Sequence, residues 1–420
     1  MTVISAPPHI ATDRWPDVAT VPVNRLNASV AAALIRRVAR RLPLRVELPD
    51  GTPLVRASTG PVLRLVRPDA VYQRLGVAGL VGFGEAYQAG DWEAEDLTGV
   101  LSVFAGAADR IVPRPLQWLR HVHGARHPRS ETNTLDGSRR NIHRHYDLSN
   151  ELFALFLDPS MTYSSALFGR PSPSAPDLQW SSLEPAQHAK IDRLLDRIGV
   201  RDGTRLLEVG TGWGALAIRA AQRGARVHSV TISQEQLALA RQRVADAGVA
   251  DRVEVELRDY RQIPAGSGYD AIASVEMIEA VGERFWPDYF RTLDRLLTDR
   301  GRIGIQAITM RHERMLATRH SYTWMHKYIF PGGLIPSVRA ISQTLAAHTR
   351  LRLTDEFAFG QHYAATLRLW RQRFASQAAR VETLGFDDVF RRTWNFYLAY
   401  SEAGFRSGYL DVHQLILERP

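Results

Sequence analysis

The chain has 420 residues, 45% of them hydrophobic and 23% charged, a balance that excludes intrinsic disorder and allows on the order of two or three domains. Cysteine is absent, which excludes disulfides, thiolate metal sites and a cysteine nucleophile together. The net charge of +9 fits an anionic partner, nucleic acid or an anionic membrane face, and does not choose between them.

Nearly all the cations are arginine, because only Lys190 and Lys327 are lysines. The N-terminus lacks the basic-then-apolar order of a signal peptide, and no apolar run reaches about 18 residues, so a cytoplasmic protein is expected. Residues 1–25 are proline-rich and aperiodic and read as a flexible arm. From Leu26 the pattern turns helical: Val30, Ala33, Leu34 and Val38 repeat at helical spacing beside Arg36, Arg37, Arg40 and Arg41. This is either a basic amphipathic helix lying on lipid headgroups or an ordinary solvated face. Three short strand-like runs at 45–50, 52–58 and 61–68 suggest a small antiparallel sheet, and 71–106 alternates helical pattern with glycine breaks. Residues 26–120 therefore read as an N-terminal α+β domain, for membrane or substrate docking or for dimerisation, and 121–140 as a polar linker.

Residues 141–420 read as a second domain. Ser149 is a suitable cap for a helix striped by Leu152, Phe153, Phe156 and Leu157, which Pro159 ends. A helix over 184–200 follows. Apolar residues then run into Glu208, Gly210, Gly212 and Gly214 in LLEVGTGWGALAIRAA (206–221). Such a strand, glycine turn and helix lets the backbone approach a nucleotide-like ligand. The third glycine comes one position too early for a dinucleotide fingerprint, which favours an S-adenosylmethionine (SAM) turn.

Beyond it, strands at 204–210, 226–232, 252–258, 270–276 and 302–309 alternate with helices at 213–223, 234–247 and 287–298. That order predicts a parallel α/β sheet of the class I SAM-methyltransferase (Rossmann-like) kind. Ser233 and Gln236 have capping spacing, and Pro287 and Gly301 bracket a helix. An insert over 311–349, rich in aromatics such as Tyr322, Trp324, Tyr328 and Phe330, reads as a helical lid; strands at 351–360 and 409–418 close the chain.

Four stretches, HYDLSNELFALFLDPSMTYSSALF (145–168), LLEVGTGWGALAIRAA with VTISQEQ (230–236), SVEMIEAVG (274–282) and KYIFPGGLIPSV (327–338), together resemble the cyclopropane fatty-acid synthase family. The N-terminal domain resembles that of full-length, phospholipid-acting members through GFGEAYQAGDWEAEDL (82–97). The resemblance implies that the π electrons of a cis double bond in a phospholipid acyl chain attack the SAM methyl group, giving a carbocation that a base must deprotonate. It places Tyr163 and Ser164 over SAM, Gly210 and Gly212 against its amino-acid end, Thr231, Ile232, Gln236 and Asp259 near ribose and adenine, and Glu208 with them in the cofactor site. Each polar member of this set is also a plausible cap or turn residue.

Family members hold a bicarbonate ion as the active-site base, and its ligands carry over to Ser165, Glu279, Gln306, Ile308 and Tyr363. Two positions depart from the pattern, Ser165 standing for cysteine and Gln306 for histidine. Glu279 and Tyr363 are therefore expected to carry most of the catalysis, with a simple helix N-terminal carboxylate as the alternative reading of Glu279. Aromatics of the insert and of 394–405 either flank the cation through their ring faces or pack a core. The segments QAITM, IEAVGERFWPDYF and YTWMHKYIFPGGL look closest to the actinobacterial branch that makes 10-methylene acyl chains. A 10-methylene product from oleoyl phospholipid is expected, with cyclopropane formation as the alternative. The expected partners are an anionic membrane surface at its inner face, a reductase and a second copy of the chain; no metal and no nucleic acid is expected. A nucleic-acid methyltransferase and a non-catalytic lipid-binding protein are the other classes weighed.

Overall fold

The computed structural model describes residues 10–55, 59–107, 149–169 and 178–420. The linker at 121–140 and the start of the arm lie outside the described residues. The chain forms two compact units. One holds Met1–Arg126, Ser321–Ile329 and Phe374–Tyr409; the other holds His127–His320, Phe330–Arg373 and Leu410–Pro420. The smaller unit thus takes back a piece of the insert and the late helix Asp388–Arg406, an exchange that a division in chain order does not include.

The smaller unit carries strands β1 (Arg45–Glu47), β2 (Val62–Leu65) and β3 (Trp92–Glu93). The sheet is mixed and not antiparallel as expected, because β1 pairs with β2 in parallel and only β3 runs against β2. Thr52–Val55 forms a single bridge through Pro53 to Glu47 instead of a strand. The return is permitted by Gly60 (φ +113°), where a Cβ would lie 2.1 Å from the Pro43 carbonyl oxygen. The helix Arg25–Arg41 packs on the helix Pro68–Gln88, which is broken at Gly79 (φ +57°). Trp92 is fully buried and stacks on Phe83 at 4.6 Å, and Arg74 pairs with Asp91 at 2.9 Å.

The larger unit is a seven-stranded sheet in the order β6-β5-β4-β7-β8-β10-β9. Its strands are β4 (Arg205–Val209), β5 (Arg226–Thr231), β6 (Val253–Leu257), β7 (Tyr269–Val275), β8 (Leu297–Met310), β9 (Arg352–Ala358) and β10 (Leu410–Glu418). The first five run parallel, and β10 runs antiparallel between β8 and β9. Successive side chains of a strand point to opposite faces. Leu206, Ala271 and Ala273 accordingly pack under the helices Leu183–Arg197, Ala215–Gln222 and Gln234–Asp246. Leu207, Ile272, Ile303 and Ile305 pack on the other face against Trp286–Leu296 and Val338–His348. Burial on both faces explains why these strands read as near-continuous apolar runs.

Ser149 and Ser233 cap their helices as expected, accepting from the Leu152 and Gln236 amides. Gly301 departs from expectation. The helix ends at Leu296 and β8 begins at Leu297, so Gly301 lies within the strand, where a Cβ would sit 2.9 Å from the Asp270 carbonyl oxygen.

Candidate active site

Parallel strands present their carboxyl ends on one edge, where open α/β sheets bind ligands. Here β4, β5, β6 and β7 end at Val209, Thr231, Leu257 and Val275, so the residues that follow them share that edge. Gly210, Gly212 and Gly214 follow β4 with φ of +97°, +53° and +88°, a left-handed run open chiefly to glycine. Among the described residues, none beyond its chain neighbours comes within 4 Å of where a Gly212 Cβ would be, so the turn leaves open space there. The helix Ala215–Gln222 starts immediately beyond without a side-chain cap, leaving its first amides for an anionic group.

Glu208 is buried and accepts from Ser229 Oγ at 2.6 Å; burial pushes its carboxyl up to about 8. Thr231 Oγ1 donates to Gln236 Oε1 at 2.9 Å beside half-buried Ile232. Ser164 Oγ accepts from buried Lys190 Nζ at 2.5 Å, and Tyr163 lies between the rings of Phe153 (5.2 Å) and Trp370 (5.4 Å). Burial lowers Lys190 to about 8 against the opposing pull of Glu276, Asp158 and Glu208. Asp259 is buried, but its carboxylate is taken by Arg261, at 2.8 Å to Nε and 2.6 Å to Nη2, and it caps the turn Tyr260–Gln262. Its capping role therefore accounts for its position.

Three of the five residues expected around the base, Ser165, Gln306 and Tyr363, converge on Glu276, which is not among those expected. Glu276 follows β7 directly with φ +50°, and its carboxylate takes three donors. Oε1 accepts from the Ser165 amide at 3.0 Å and from Gln306 Nε2 at 2.9 Å; Oε2 accepts from Tyr363 OH at 2.7 Å. The Glu276 amide also donates to the Gln306 carbonyl at 2.7 Å. Ser165 acts through its backbone only, since its hydroxyl donates to the Ala166 carbonyl at 3.1 Å. Gln306 cannot flip freely, because its Oε1 accepts from Gln414 Nε2 at 3.2 Å, which turns its own amide nitrogen toward Glu276. Two further bonds, Ala166 amide to Thr366 (3.1 Å) and Phe168 amide to His362 Nδ1 (3.0 Å), pin the Ser165 segment to the helix Gly360–Ser376 that carries Tyr363.

Glu279 stands apart from this cluster. Its Oε1 accepts from the Ile308 amide, whereas its buried Oε2 has no hydrogen-bond partner among the described residues. Burial first, and then the neighbouring Glu276, push its carboxyl up to about 8. Glu276 is itself raised by burial, against the opposing pull of its three donors and Lys190. A carboxylate at the end of a parallel strand, three residues before a second one, was the sequence signal for Glu276. The aromatics of the insert and of 394–405 do not gather in this unit. Trp324 packs on Phe396 at 4.7 Å and donates to Gln88 at 2.9 Å within the smaller unit, so these two act as core; Phe330 alone of the insert set falls in the larger unit.

Residues 133–415 match the family model described as mycolic acid cyclopropane synthetase. The tuberculostearic acid methyltransferase UfaA1 of Mycobacterium tuberculosis is 54% identical over 98% of this chain and 96% of its own. The cyclopropane-fatty-acyl-phospholipid synthase of Escherichia coli is 31% identical over 85% and 87%. Among solved structures, the mycolic acid cyclopropane synthase CmaA1 complexed with SAH and CTAB aligns with a TM-score of 0.60 at 31% identity, covering 67% of this chain and 98% of that one. With the glycine turn and sheet order described above, these matches show that the chain belongs to the mycolic acid cyclopropane synthetase family and is a SAM-dependent methyltransferase.

Proposed function

We propose that this enzyme methylates the cis double bond of an oleoyl phospholipid acyl chain and releases a 10-methylene acyl chain, the precursor of a 10-methyl branch. The observation that carries this reading is the 54% identity to a tuberculostearic acid methyltransferase along almost the full length of both chains. Bound SAM supplies a methyl group already activated on a sulfonium centre, so the protein needs no nucleophile of its own. Gly210, Gly212 and the first amides of Ala215–Gln222 would hold its carboxylate end, and Glu208, Thr231, Ile232, Gln236 and the Asp259 turn its ribose and adenine. Tyr163, Ser164 and the buried aromatics around them exclude water from the cationic carbon, which water would otherwise trap. Saturation of the methylene to a methyl branch is left to a separate reductase.

The lipid is reached from the cytoplasmic face of a membrane, with the helix Arg25–Arg41 as the contact. Leu26 (77% exposed) and Val30 (64%) share a face with Ala33 and Arg37, and Arg36, Arg40 and Arg41 are exposed beside them. On the adjoining helix, Leu80 is 79% exposed at the Gly79 break. An apolar end continuing into a cluster of guanidinium groups suits an anionic lipid surface. Ring closure to a cyclopropane is the second reading, favoured by the Escherichia coli relative. Incubation with SAM and a dioleoyl phospholipid, followed by NMR of the product, separates them. Vinylidene protons at carbon 10 are expected, and a ring signal without them refutes the methylene reading.

A further inference from the structure

We propose that the Glu276 carboxylate is the catalytic base of this enzyme and stands where the family resemblance would place a bicarbonate ion. The inference rests on the methylation reading, but not on which of its two products forms. Of the donors expected to grip the ion, the Ser165 amide, Gln306 and Tyr363 already engage Glu276, at 3.0, 2.9 and 2.7 Å, and the fourth, the Ile308 amide, engages Glu279. A carboxylate and a bicarbonate present the same planar pair of oxygens, so a ring of donors shaped for one suits the other. A bicarbonate added here would find its donors occupied and two buried carboxylates, Glu276 and Glu279, as neighbours. It does not fit.

The backbone supports the same assignment. Glu276 adopts φ +50°, a conformation a residue with a Cβ rarely takes, and such strain persists where surrounding structure imposes it. Here the Glu276 amide bond to Gln306 and the Gln414 bond that orients the Gln306 amide impose it. Three donors leave one of the four lone-pair positions of the carboxylate for a substrate proton.

The step balances without any other reactant. After methyl transfer the acyl chain carries a cation beside the methylated carbon, and a hydride from that carbon moves across with its electron pair. A C–H bond of the new methyl then breaks, its pair becomes the exocyclic double bond, and the proton goes to Glu276, which becomes a neutral carboxylic acid and later releases it to water. If the ring forms instead, the same proton is lost to the same oxygen.

The test uses the full-length protein in carbon-dioxide-free buffer with SAM and dioleoyl phosphatidylglycerol vesicles, together with 13C-bicarbonate NMR in the absence of lipid. Wild type should turn over at the same rate with and without added bicarbonate and show no bound ion. Glu276→Gln should lose roughly 100-fold or more in product formation, the usual scale of general-base loss, while its SAM affinity stays within about twofold. Glu276→Gly, which the left-handed backbone accommodates, should bind 13C-bicarbonate and regain turnover when it is supplied. Wild-type dependence on bicarbonate with a bound 13C signal, or a fully active Glu276→Gln protein, overturns the assignment. If wild type makes a ring, the methylene reading fails alone, because the bicarbonate measurements do not depend on the product.

Discussion

Replacing Glu279 by glutamine tests the electrostatics of the site through stability. Glu279 is buried with one oxygen on the Ile308 amide and the other without a partner among the described residues, and burial together with Glu276 raises its carboxyl from 4.5 to about 8. Over that window the native protein holds a proton that the unfolded chain has released. Stability from this group is therefore fully present below about pH 4.5 and is lost as pH rises through about 8. At about 1.4 kcal/mol per pH unit, the change between pH 5.5 and 7.5 is about 3 kcal/mol as a ceiling. For a unit of this size that corresponds to roughly 5–10 °C in melting temperature. Glutamine keeps the shape and carries no charge at any pH. Thermal melts of both proteins from pH 5.5 to 8.5 should diverge, with the variant gaining on wild type as pH rises. Glu208, also raised to about 8, titrates in both proteins and cancels in the difference. Parallel pH profiles for the two proteins would refute a neutral, buried Glu279.

The glycine turn and the basic helix offer two further tests. Gly210→Ala should cost more than Gly203→Ala: both have positive φ, but only at Gly210 would the new Cβ meet a side chain, Met277 Cγ at 2.8 Å. About 1–2 kcal/mol is expected at Gly203 from backbone strain alone. At Gly210 a larger loss is expected with at least tenfold weaker SAM binding by calorimetry, and equal effects at the two sites would count against the cofactor turn. Substituting Arg36, Arg37, Arg40 and Arg41 together by alanine should weaken binding to anionic vesicles by roughly 1 kcal/mol per residue at low salt. Turnover of detergent-dispersed lipid should be unchanged, and undiminished vesicle binding by the variant would dismiss this helix as the contact.

Much of the larger unit was legible because its signals are local. Buried strands show as apolar runs, the turn shows as glycines, and helix starts show as Ser149 and Ser233, each a matter of a few consecutive residues. The smaller unit was less so: the parallel pairing of β1 with β2 and the return of Trp324 and Phe396 to the N-terminal unit depend on contacts between distant segments. At the site, the family resemblance named Ser165, Gln306 and Tyr363 as ligands of a bicarbonate ion, whereas in the structure they hold Glu276. A donor's residue type is fixed by sequence, but its acceptor is whatever the fold brings within about 3 Å. Glu276 and Glu279 lie three residues apart with the same side chain, and no local rule ranks them. The sequence by itself determined the glycine turn after β4 and the sheet that carries it. Only the tertiary structure decided which carboxylate stands among the donors, because that choice rests on a strand end, a left-handed backbone and a glutamine from β10 meeting at one point.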